Sequence, residues 1–195
     1  MNKIIVASLG ALLLVGSVSC NRKVTRISEN KEVDLSGRWN NTDSRLTAEE
    51  IIKECNSGKW ITNFTSKNPD KKPAVIVGFV KNKSHEHIDA ETFMLDLEKS
   101  FINQGQVRLI QGGEKRQEIR GERADQQDNA SESTMKKFGL EVGADYMLQG
   151  DINSIVDSYK NKKVVYYQIN LQLTDLQSNE VVWIGDKKIT KYVKN

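Results

Sequence analysis

An apolar run opens the chain and gives way to charged residues at a cysteine. Residues 4–15 are apolar, small residues follow them, and Cys20 lies at the boundary. A membrane-spanning helix needs about 20 apolar residues, so this shorter run is typical of a secretory signal peptide. Residues 21–36 mix both charge signs with few apolar positions, which indicates a flexible tether. The predicted organisation is a signal peptide over 1–19, the cysteine and its tether over 20–36, and one globular domain over 37–195.

Three later segments carry the 3.6-residue period of amphipathic helices. The first is predicted to begin with Asp43 as its N-cap, the second to begin with Asp89 and end at Gly105, and the third to cover 132–144. The positions expected to face inward are Leu46, Ile51, Ile52 and Cys55 in the first helix, Trp60, Ile61 and Phe64 just after it, Ala90, Phe93, Met94, Leu97 and Phe101 in the second, and Met135, Phe138 and Val142 in the third.

The remaining apolar segments have the patterns of strands. The β-branched run 74–80 resembles a buried central strand, and 107–110 is a short strand. Segments 145–159, 164–175 and 181–193 are separated by short polar turns, which predicts an antiparallel meander. In the middle segment the inward positions alternate strictly with polar ones, namely Val165, Tyr167, Ile169, Leu171 and Leu173. The predicted fold class is α/β, built as an α+β sandwich: a small mixed or antiparallel sheet of four to five strands with helices packed on one face.

Composition and motifs give little support for catalysis. The net charge of +3 is too weak to indicate a nucleic acid partner. The chain contains no P-loop, dinucleotide-binding glycine motif or nucleophile elbow. The glycines of "IQGG" (110–113) fit a turn better than a phosphate cradle, and "HEH" (85–87) lacks the further ligands of a zinc site. Cys55 is expected to be a small buried hydrophobe. We therefore predict no enzymatic activity, no cofactor and no metal.

Two charged surfaces are candidates for binding a partner. If 113–128 is helical, its arginines form a basic stripe that binds acidic groups on this domain or on another protein; a solvated, partly frayed helix is the favoured alternative. The C-terminal segment 186–195 carries four lysines, including Lys187 and Lys188. They either contact an anionic headgroup or acidic partner, or protect an edge strand from aggregation, and the sequence leaves both readings open. The arginines of the stripe are Arg116, Arg120 and Arg123.

The boundary sequence "SVSC" (17–20) resembles the lipobox of bacterial lipoproteins, in which small residues precede a cysteine that becomes the lipidated N-terminus. The resemblance implies that Cys20 carries the lipid anchor. Ser17 departs from the leucine-like residue usual at that position. Ordinary signal cleavage nearby and an uncleaved anchor are the alternatives.

Longer segments closely resemble the LpoB family of bacterial outer-membrane lipoproteins, which activate class A penicillin-binding proteins. The most specific are "GADYMLQGDINSIVD" (143–157) and "VWIGDKKI" (182–189), and the likeness covers nearly all of 34–192. It implies a compact α/β domain without enzymatic activity, monomeric and facing the periplasm from the outer membrane, which docks on a bifunctional peptidoglycan synthase. Exposed charged and aromatic residues in the matched segments are the candidate docking residues: Arg38, Trp39, Lys187 and Lys188.

The tether is short for a protein that crosses the periplasm. Its sixteen residues (21–36) extend to at most about 55 Å and average roughly 20–25 Å when flexible. Either the partner projects outward, or the anchor is in the inner membrane, or the partner differs; Asn21 after the cysteine favours the outer membrane. The alternative function is a structural subunit of an envelope secretion assembly, since the fold resembles curli-type secretion lipoproteins. Such a subunit would form a ring, whereas an activator should be monomeric.

Overall fold

The computed structural model describes residues 24–28, 31–136, 139 and 141–194. A compact unit extends from Glu32 to Asn195, and the unit before it, Met1–Lys31, is described only at 24–28 and 31. The described chain contains four helices and five strands. In chain order these are α1 Asn41–Asn56, α2 Lys59–Lys67, β1 Ala74–Asn82, α3 Ala90–Gln104, β2 Arg108–Leu109, α4 Gly113–Asn129, β3 Tyr146–Tyr159, β4 Lys162–Asp175 and β5 Val181–Lys194.

The five strands form one mixed sheet in the order β2-β1-β3-β4-β5. Strand β1 is parallel to both β2 and β3. The connections through α3 and α4 are crossovers, which return the chain to the end of the sheet where β1 begins. Strands β3, β4 and β5 are antiparallel neighbours joined by short turns. The predicted fold class and the predicted meander are therefore confirmed.

Helices α1 and α3 pack on one face of the sheet and enclose the core. The alternating positions of β4 predicted to point inward are all buried, as are Phe93, Leu97 and Phe101 of α3. From α1, Ile51, Ile52 and Cys55 enter the same core. Trp60 is buried, and Ile61 and Phe64 pack against the core edge as partly buried side chains. The inward side chains of β4 repeat every two residues and those of α3 about every 3.6 residues, and both sets belong to this core. The opposite face of β3–β5, which we call the open face, carries the intervening polar positions.

The start of α1 differs from the prediction. Asn40, not Asp43, is the N-cap: its side chain accepts hydrogen bonds from the backbone of Thr42 and Asp43, at 2.9 and 3.2 Å. Asp43 is the third helical residue and accepts from Asn40 N at 2.9 Å, which completes a capping box. Leu46, predicted to face inward, is 38% exposed. The buried stripe includes Ser44 and Ala48, and a residue two positions after Ser44 lies on the far side of the helix.

The predicted helix over 132–144 is wrong for the residues described there. Residues 132–134 form a turn, and the described residues from 135 to 144 are not helical. Val142, predicted to be buried, is 52% exposed, and Phe138 lies outside the described residues. Gly139 and Gly143 each cost a helix about 1 kcal/mol relative to alanine. The helix of this region is α4, in the charged segment that precedes the prediction.

Candidate functional site

The predicted docking residue Trp39 is a packing residue at the N-terminal start of the domain. Its ring contacts Phe93 and Tyr167 edge-on, with centroids 6.0 and 5.6 Å apart. Its backbone N–H donates to Glu86 Oε2 at 3.1 Å. Burial, followed by the nearby Glu86 carboxylate, raises the pKa of the Tyr167 phenol. Arg38 is exposed. The structure therefore leaves Arg38, and little of Trp39, accessible to a partner.

A buried lysine binds the N-terminal segment of the domain, residues 34–43, to the sheet. The Lys191 side chain is 7% exposed, and its ammonium group lies 2.8 Å from Asp34 Oδ2 and 2.5 Å from Asp43 Oδ2. It also donates to the carbonyl oxygen of Arg38 at 2.8 Å. Three oxygen acceptors match the three donors of an ammonium group. We call Lys191 with Asp34, Asp43 and the Arg38 carbonyl the lysine clamp. It joins β5, the start of α1 and the chain that enters the domain.

Two of the three arginines of the α4 stripe bind an acidic side chain within the domain. Arg120 binds Glu141 through two parallel hydrogen bonds of 3.0 and 2.9 Å, and Arg123 binds the same carboxylate at 3.2 Å. Arg116 donates to the carbonyl of Gln111 at 2.7 Å. The hydrogen bond from Arg120 lowers the pKa of Glu141. No residue of α4, all of which is described, is buried. Arg120 and Arg123 therefore tie α4 to the segment after it, and Arg116 ties it to the residues before it. A partner within the domain was one of the two locations that the sequence left open.

Replacing Glu141 with glutamine is expected to loosen α4 without unfolding the domain. The amide keeps the size of the side chain but loses the charge that binds Arg120 and Arg123. Since α4 contributes no buried residue, its amide protons should exchange faster while the core stays protected. Hydrogen exchange followed by mass spectrometry measures this for residues 113–129. Glu132→Gln, an exposed carboxylate in the same connection, is the control, and equal protection in both variants would contradict the assignment.

Lys187 and Lys188 do not form one patch, because successive strand residues point to opposite faces. Lys187 lies on the helix side of β5 and reaches Glu50 Oε2 of α1 at 2.5 Å. Lys188 lies on the open face, where it is 3.3 Å from Asp186 Oδ2. Of the two lysines, Lys188 is the one that a partner on the open face would contact.

The middle of the open face carries a hydrogen-bonded set of polar side chains. Asp151 accepts from Lys83 Nζ at 2.8 Å and from Asn170 Nδ2 at 3.0 Å. Gln168 Nε2 donates to Asn170 Oδ1 at 2.9 Å. The hydrogen bond from Lys83 lowers the pKa of Asp151 and keeps the carboxylate charged. In register, Gln168 and Asn170 lie opposite Lys188 and Asp186. We call this set the polar strip: Lys83, Asp151, Gln168, Asn170, Asp186 and Lys188.

The polar strip was not predicted from the sequence. The alternation in β4 indicates a wet face, but it does not say which polar residues of β3 and β5 meet there. The pairing of Asp151 with Asn170, and of Asn170 with Asp186, follows from the register of the meander. The signal available in the sequence was the run of amides Gln168, Asn170 and Gln172 on one face of β4.

His85, considered above as a metal ligand, makes structural contacts instead. His85 Nδ1 lies 2.6 Å from Ser154 Oγ, and His85 Nε2 lies 3.3 Å from Glu86 Oε1. The contact with Ser154 joins the loop after β1 to β3. Within the described ranges, no group of three histidine, cysteine, aspartate or glutamate side chains is arranged to hold a metal ion. Cys55 is a buried free thiol, and burial raises its pKa to about 12. Cys20 lies outside the described residues.

Comparison with known families identifies the domain. The model of the peptidoglycan-synthase activator LpoB matches residues 43–189, which is most of the chain. The chain belongs to the LpoB family. The matched range begins in α1 and ends in β5, so it includes α4 and almost the whole sheet. The LpoB family is one of regulators of peptidoglycan synthesis, as the resemblance implied.

Similar solved structures include two domains of this family. The LpoB C-terminal domain from Salmonella enterica is 16% identical, with a TM-score of 0.44 over 75% of this chain and 98% of that one. The LpoB C-terminal domain from Escherichia coli is 17% identical, with a TM-score of 0.41 over 78% and 99%. Lipoprotein GNA1162 from Neisseria meningitidis is 14% identical, with a TM-score of 0.40 over 62% and 83%. Comparison with curated proteins gives no match.

None of the helices in the described part of this LpoB-family protein is both long and apolar enough to cross a bilayer.

Proposed function

We propose that this protein is a lipid-anchored, noncatalytic activator that binds a class A penicillin-binding protein and stimulates its synthesis of peptidoglycan. The observation that carries the proposal is the family match over 43–189, which includes both the core cluster and the polar strip. Activation of this kind requires that the protein bind the active state of the synthase more tightly than the inactive one. The protein supplies contacts to that state and no reacting group.

The polar strip is the surface that best fits the docking role. Helices α1 and α3 cover the other face of the sheet, so the open face is the broad accessible one. Lys83, Asp151, Asn170 and Gln168 are held by hydrogen bonds to one another, and Lys188 is ion-paired with Asp186, before any partner arrives. This order reduces the entropy lost on docking. Lys188 and Asp186 are 69% and 48% exposed at their side chains, so a partner can reach both signs of charge. Fixed charges of both signs favour one docking orientation over others.

The membrane anchor of the proposed activator is a lipid on Cys20, and the protein faces the periplasm from the outer membrane. The lipobox-like "SVSC" and the residue Asn21 support this placement. A monomer is expected, since one copy presents the whole polar strip. Sedimentation velocity of the full chain in detergent tests this: a ring would instead support the secretion-assembly alternative.

Exchanging the two charges of β5 is expected to abolish most of the stimulation. The variant Asp186→Lys/Lys188→Glu keeps the net charge and places each charge against the wrong partner group, which should weaken docking by about tenfold or more. Stimulation is measured as glycan polymerisation by a purified class A penicillin-binding protein from the same cells. Thermal unfolding should change little, because both side chains are exposed.

The matched control exchanges an exposed pair on α1, Lys53→Glu/Glu54→Lys, on the helix side of the domain. Full stimulation by the β5 variant would reject the polar strip as the docking surface. Loss of stimulation on Arg120→Glu/Arg123→Glu alone would move the docking surface to α4. If the unaltered protein stimulates no class A enzyme, and crosslinking of the full chain in cells recovers none, the proposed function itself fails.

A further inference from the structure

One end of the open face combines exposed aromatic rings with lysines. In register, Tyr159 lies opposite Lys162, and Lys162 lies opposite Lys194 on the next strand. Four residues earlier in β3, and on the same face, Ile155 lies opposite Tyr166. Tyr159, Tyr166 and Tyr192 are 71%, 45% and 60% exposed, and Ile155 is 70% exposed. We call this end the basic tip: Tyr159, Lys160, Lys162, Tyr166, Tyr192 and Lys194.

The positive charge of the basic tip is largely uncompensated. Among the residues that the structure describes, Lys160, Lys162, Lys163 and Lys194 form no ion pair within 4.0 Å, in contrast to Lys187, Lys188 and Lys191. Lys160 instead lies over the Tyr159 ring, 5.3 Å from its centroid. Among the acidic residues of β3 and β4, Asp157 lies nearest to the basic tip, opposite Val164. An anionic partner would therefore gain several interactions without breaking existing ones.

The chain enters the domain at the same end of the sheet. Asp34 is bound to Lys191 of β5, and Gly37 lies so close to Val193 that a Cβ on the glycine would collide with the valine side chain. Val193 lies opposite Lys163, next to the turn between β3 and β4. Asp34 and Gly37, at the start of the domain, therefore lie at the end of the sheet that carries the basic tip. If Cys20 is lipidated as proposed, the anchor is attached at the end that carries the lysines and tyrosines.

The geometry points to the basic tip as a contact surface for an anionic phospholipid bilayer. Tyrosine is favoured at membrane interfaces because its ring is apolar and its hydroxyl is wet, and lysine stems lie along apolar surface while their charges reach the headgroups. Each lysine near an anionic surface strengthens binding by roughly fivefold. A protein partner fits less well, since lysine is depleted at protein interfaces.

If Cys20 is lipidated as proposed and the segment after it is a flexible tether, even a weak contact between the tip and lipid becomes effective. The thirteen residues between Cys20 and Asp34 average about 20 Å when flexible. A link of that length presents the tip to the bilayer at an effective concentration on the order of millimolar. Membrane contact at the tip leaves the polar strip, farther along the same strands, available to another protein. The inference goes beyond activation, since it rests on the tip and the chain entry and requires no synthase.

A fragment of residues 32–195 tests the inference without the lipid anchor. This fragment is the compact unit Glu32–Asn195, with every residue of the core cluster, the capped start of α1 and the whole lysine clamp, so we expect it to fold without the residues before it. Co-sedimentation with phosphatidylcholine vesicles, with and without phosphatidylglycerol, gives the partition coefficient. We expect binding to the anionic vesicles that falls with added salt, and weak binding to the neutral ones.

Two matched triple variants separate a specific surface from general attraction by charge. Lys160→Glu/Lys162→Glu/Lys194→Glu should lower the partition coefficient about a hundredfold. Lys59→Glu/Lys67→Glu/Lys71→Glu changes the net charge equally at exposed positions on and after α2. That region lies near the opposite end of β3, where Ala74 N binds Asp145. This control should lose far less. A third variant, Tyr166→Ser/Tyr192→Ser, keeps the charge and should bind both kinds of vesicle more weakly.

The inference is overturned if the fragment does not bind anionic vesicles, or if both charge triples lose binding equally. It is also overturned if the tip triple binds vesicles normally and fails only to stimulate a synthase, because the tip would then be a protein docking surface. The variant Asp186→Lys/Lys188→Glu should bind vesicles like the unaltered fragment, so failure of the membrane contact and failure of the proposed activation are distinguishable.

Discussion

Replacing Lys191 with methionine is expected to lower the free energy of unfolding by about 3 kcal/mol. The ammonium group is buried, and its removal leaves Asp43, whose side chain is 12% exposed, as a buried carboxylate without its cation. It also frees Asp34 and the Arg38 carbonyl, so the segment that enters the domain loses its attachment to β5. Urea denaturation followed by circular dichroism measures the loss. Hydrogen exchange should show faster exchange over 34–40 than in the core.

The control for this variant is Lys188→Met on the open face, where the lysine is 69% exposed. That change should alter stability by no more than about 0.5 kcal/mol. The double variant Lys191→Met/Asp43→Asn should recover part of the loss, because the uncompensated charge is then absent. Equal stability of the two single lysine variants would contradict a buried clamp.

The clamp also predicts the sign of a pH dependence. Partial burial raises the pKa of Asp34, but hydrogen bonds from Lys191 and from Gly37 N and the charge of Lys191 outweigh it, so the pKa is lowered from its usual value of 3.8. A carboxyl with a lowered pKa in the folded state stabilises the fold above its unfolded pKa. That contribution is lost as the pH falls through the folded value. Asp34→Asn should therefore reduce stability at neutral pH more than in acid below the folded pKa.

The strands were predictable because the pattern of apolar and polar residues within each strand indicates which of its faces is buried. In β4, five apolar side chains alternate with polar ones, and one buried face with one solvated face is the arrangement that this pattern permits. The same holds for Phe93, Leu97 and Phe101 on α3, which share one helical stripe. Asp89 and Gly105 mark the ends of α3 through their own chemistry, a side-chain cap and a left-handed C-cap.

The third helix was wrongly predicted because the conformation of this segment depends on contacts with another element, α4. Met135 and Val142 have helical spacing, yet Gln126 of α4 accepts from Lys136 N at 3.1 Å, and Glu141 is bound by Arg120 and Arg123. Side chains of α4 therefore bind Lys136 and Glu141, neither of which is helical. The charged segment 113–128 had no apolar stripe to mark it as a packed helix, and it forms α4 without burying a residue.

The candidate site depended on register, which the sequence does not determine at the level of single pairs. Lys187 and Lys188 were predicted together as exposed charges of one matched segment. Successive strand residues point to opposite faces, so Lys187 binds α1 and Lys188 belongs to the polar strip. Lys191 resembles the other lysines of β5 in sequence. It is buried because the capped start of α1 places Asp43 against β5. That contact joins residues 148 positions apart, which no local pattern specifies.

Trp39 was a docking candidate from the resemblance, and its replacement by alanine is the second large effect expected. The ring fills the space between Phe93 of α3 and Tyr167 of β4, so Trp39→Ala should lower the free energy of unfolding by about 3 kcal/mol. Trp39→Phe keeps an aromatic ring in the same contact and should lose less. Denaturation in urea at neutral pH measures both.

The neighbouring residue supplies the control, since Arg38 is exposed. Arg38→Ala should change stability by no more than about 0.5 kcal/mol. Activation assayed well below the unfolding midpoint then separates packing from docking. If Trp39 is a packing residue and the proposed function holds, Trp39→Phe should stimulate a class A penicillin-binding protein as the unaltered protein does. A Trp39→Ala variant of normal stability that has lost stimulation would instead make the indole a contact with the partner, and the docking surface would extend from the polar strip to the entrance of the domain.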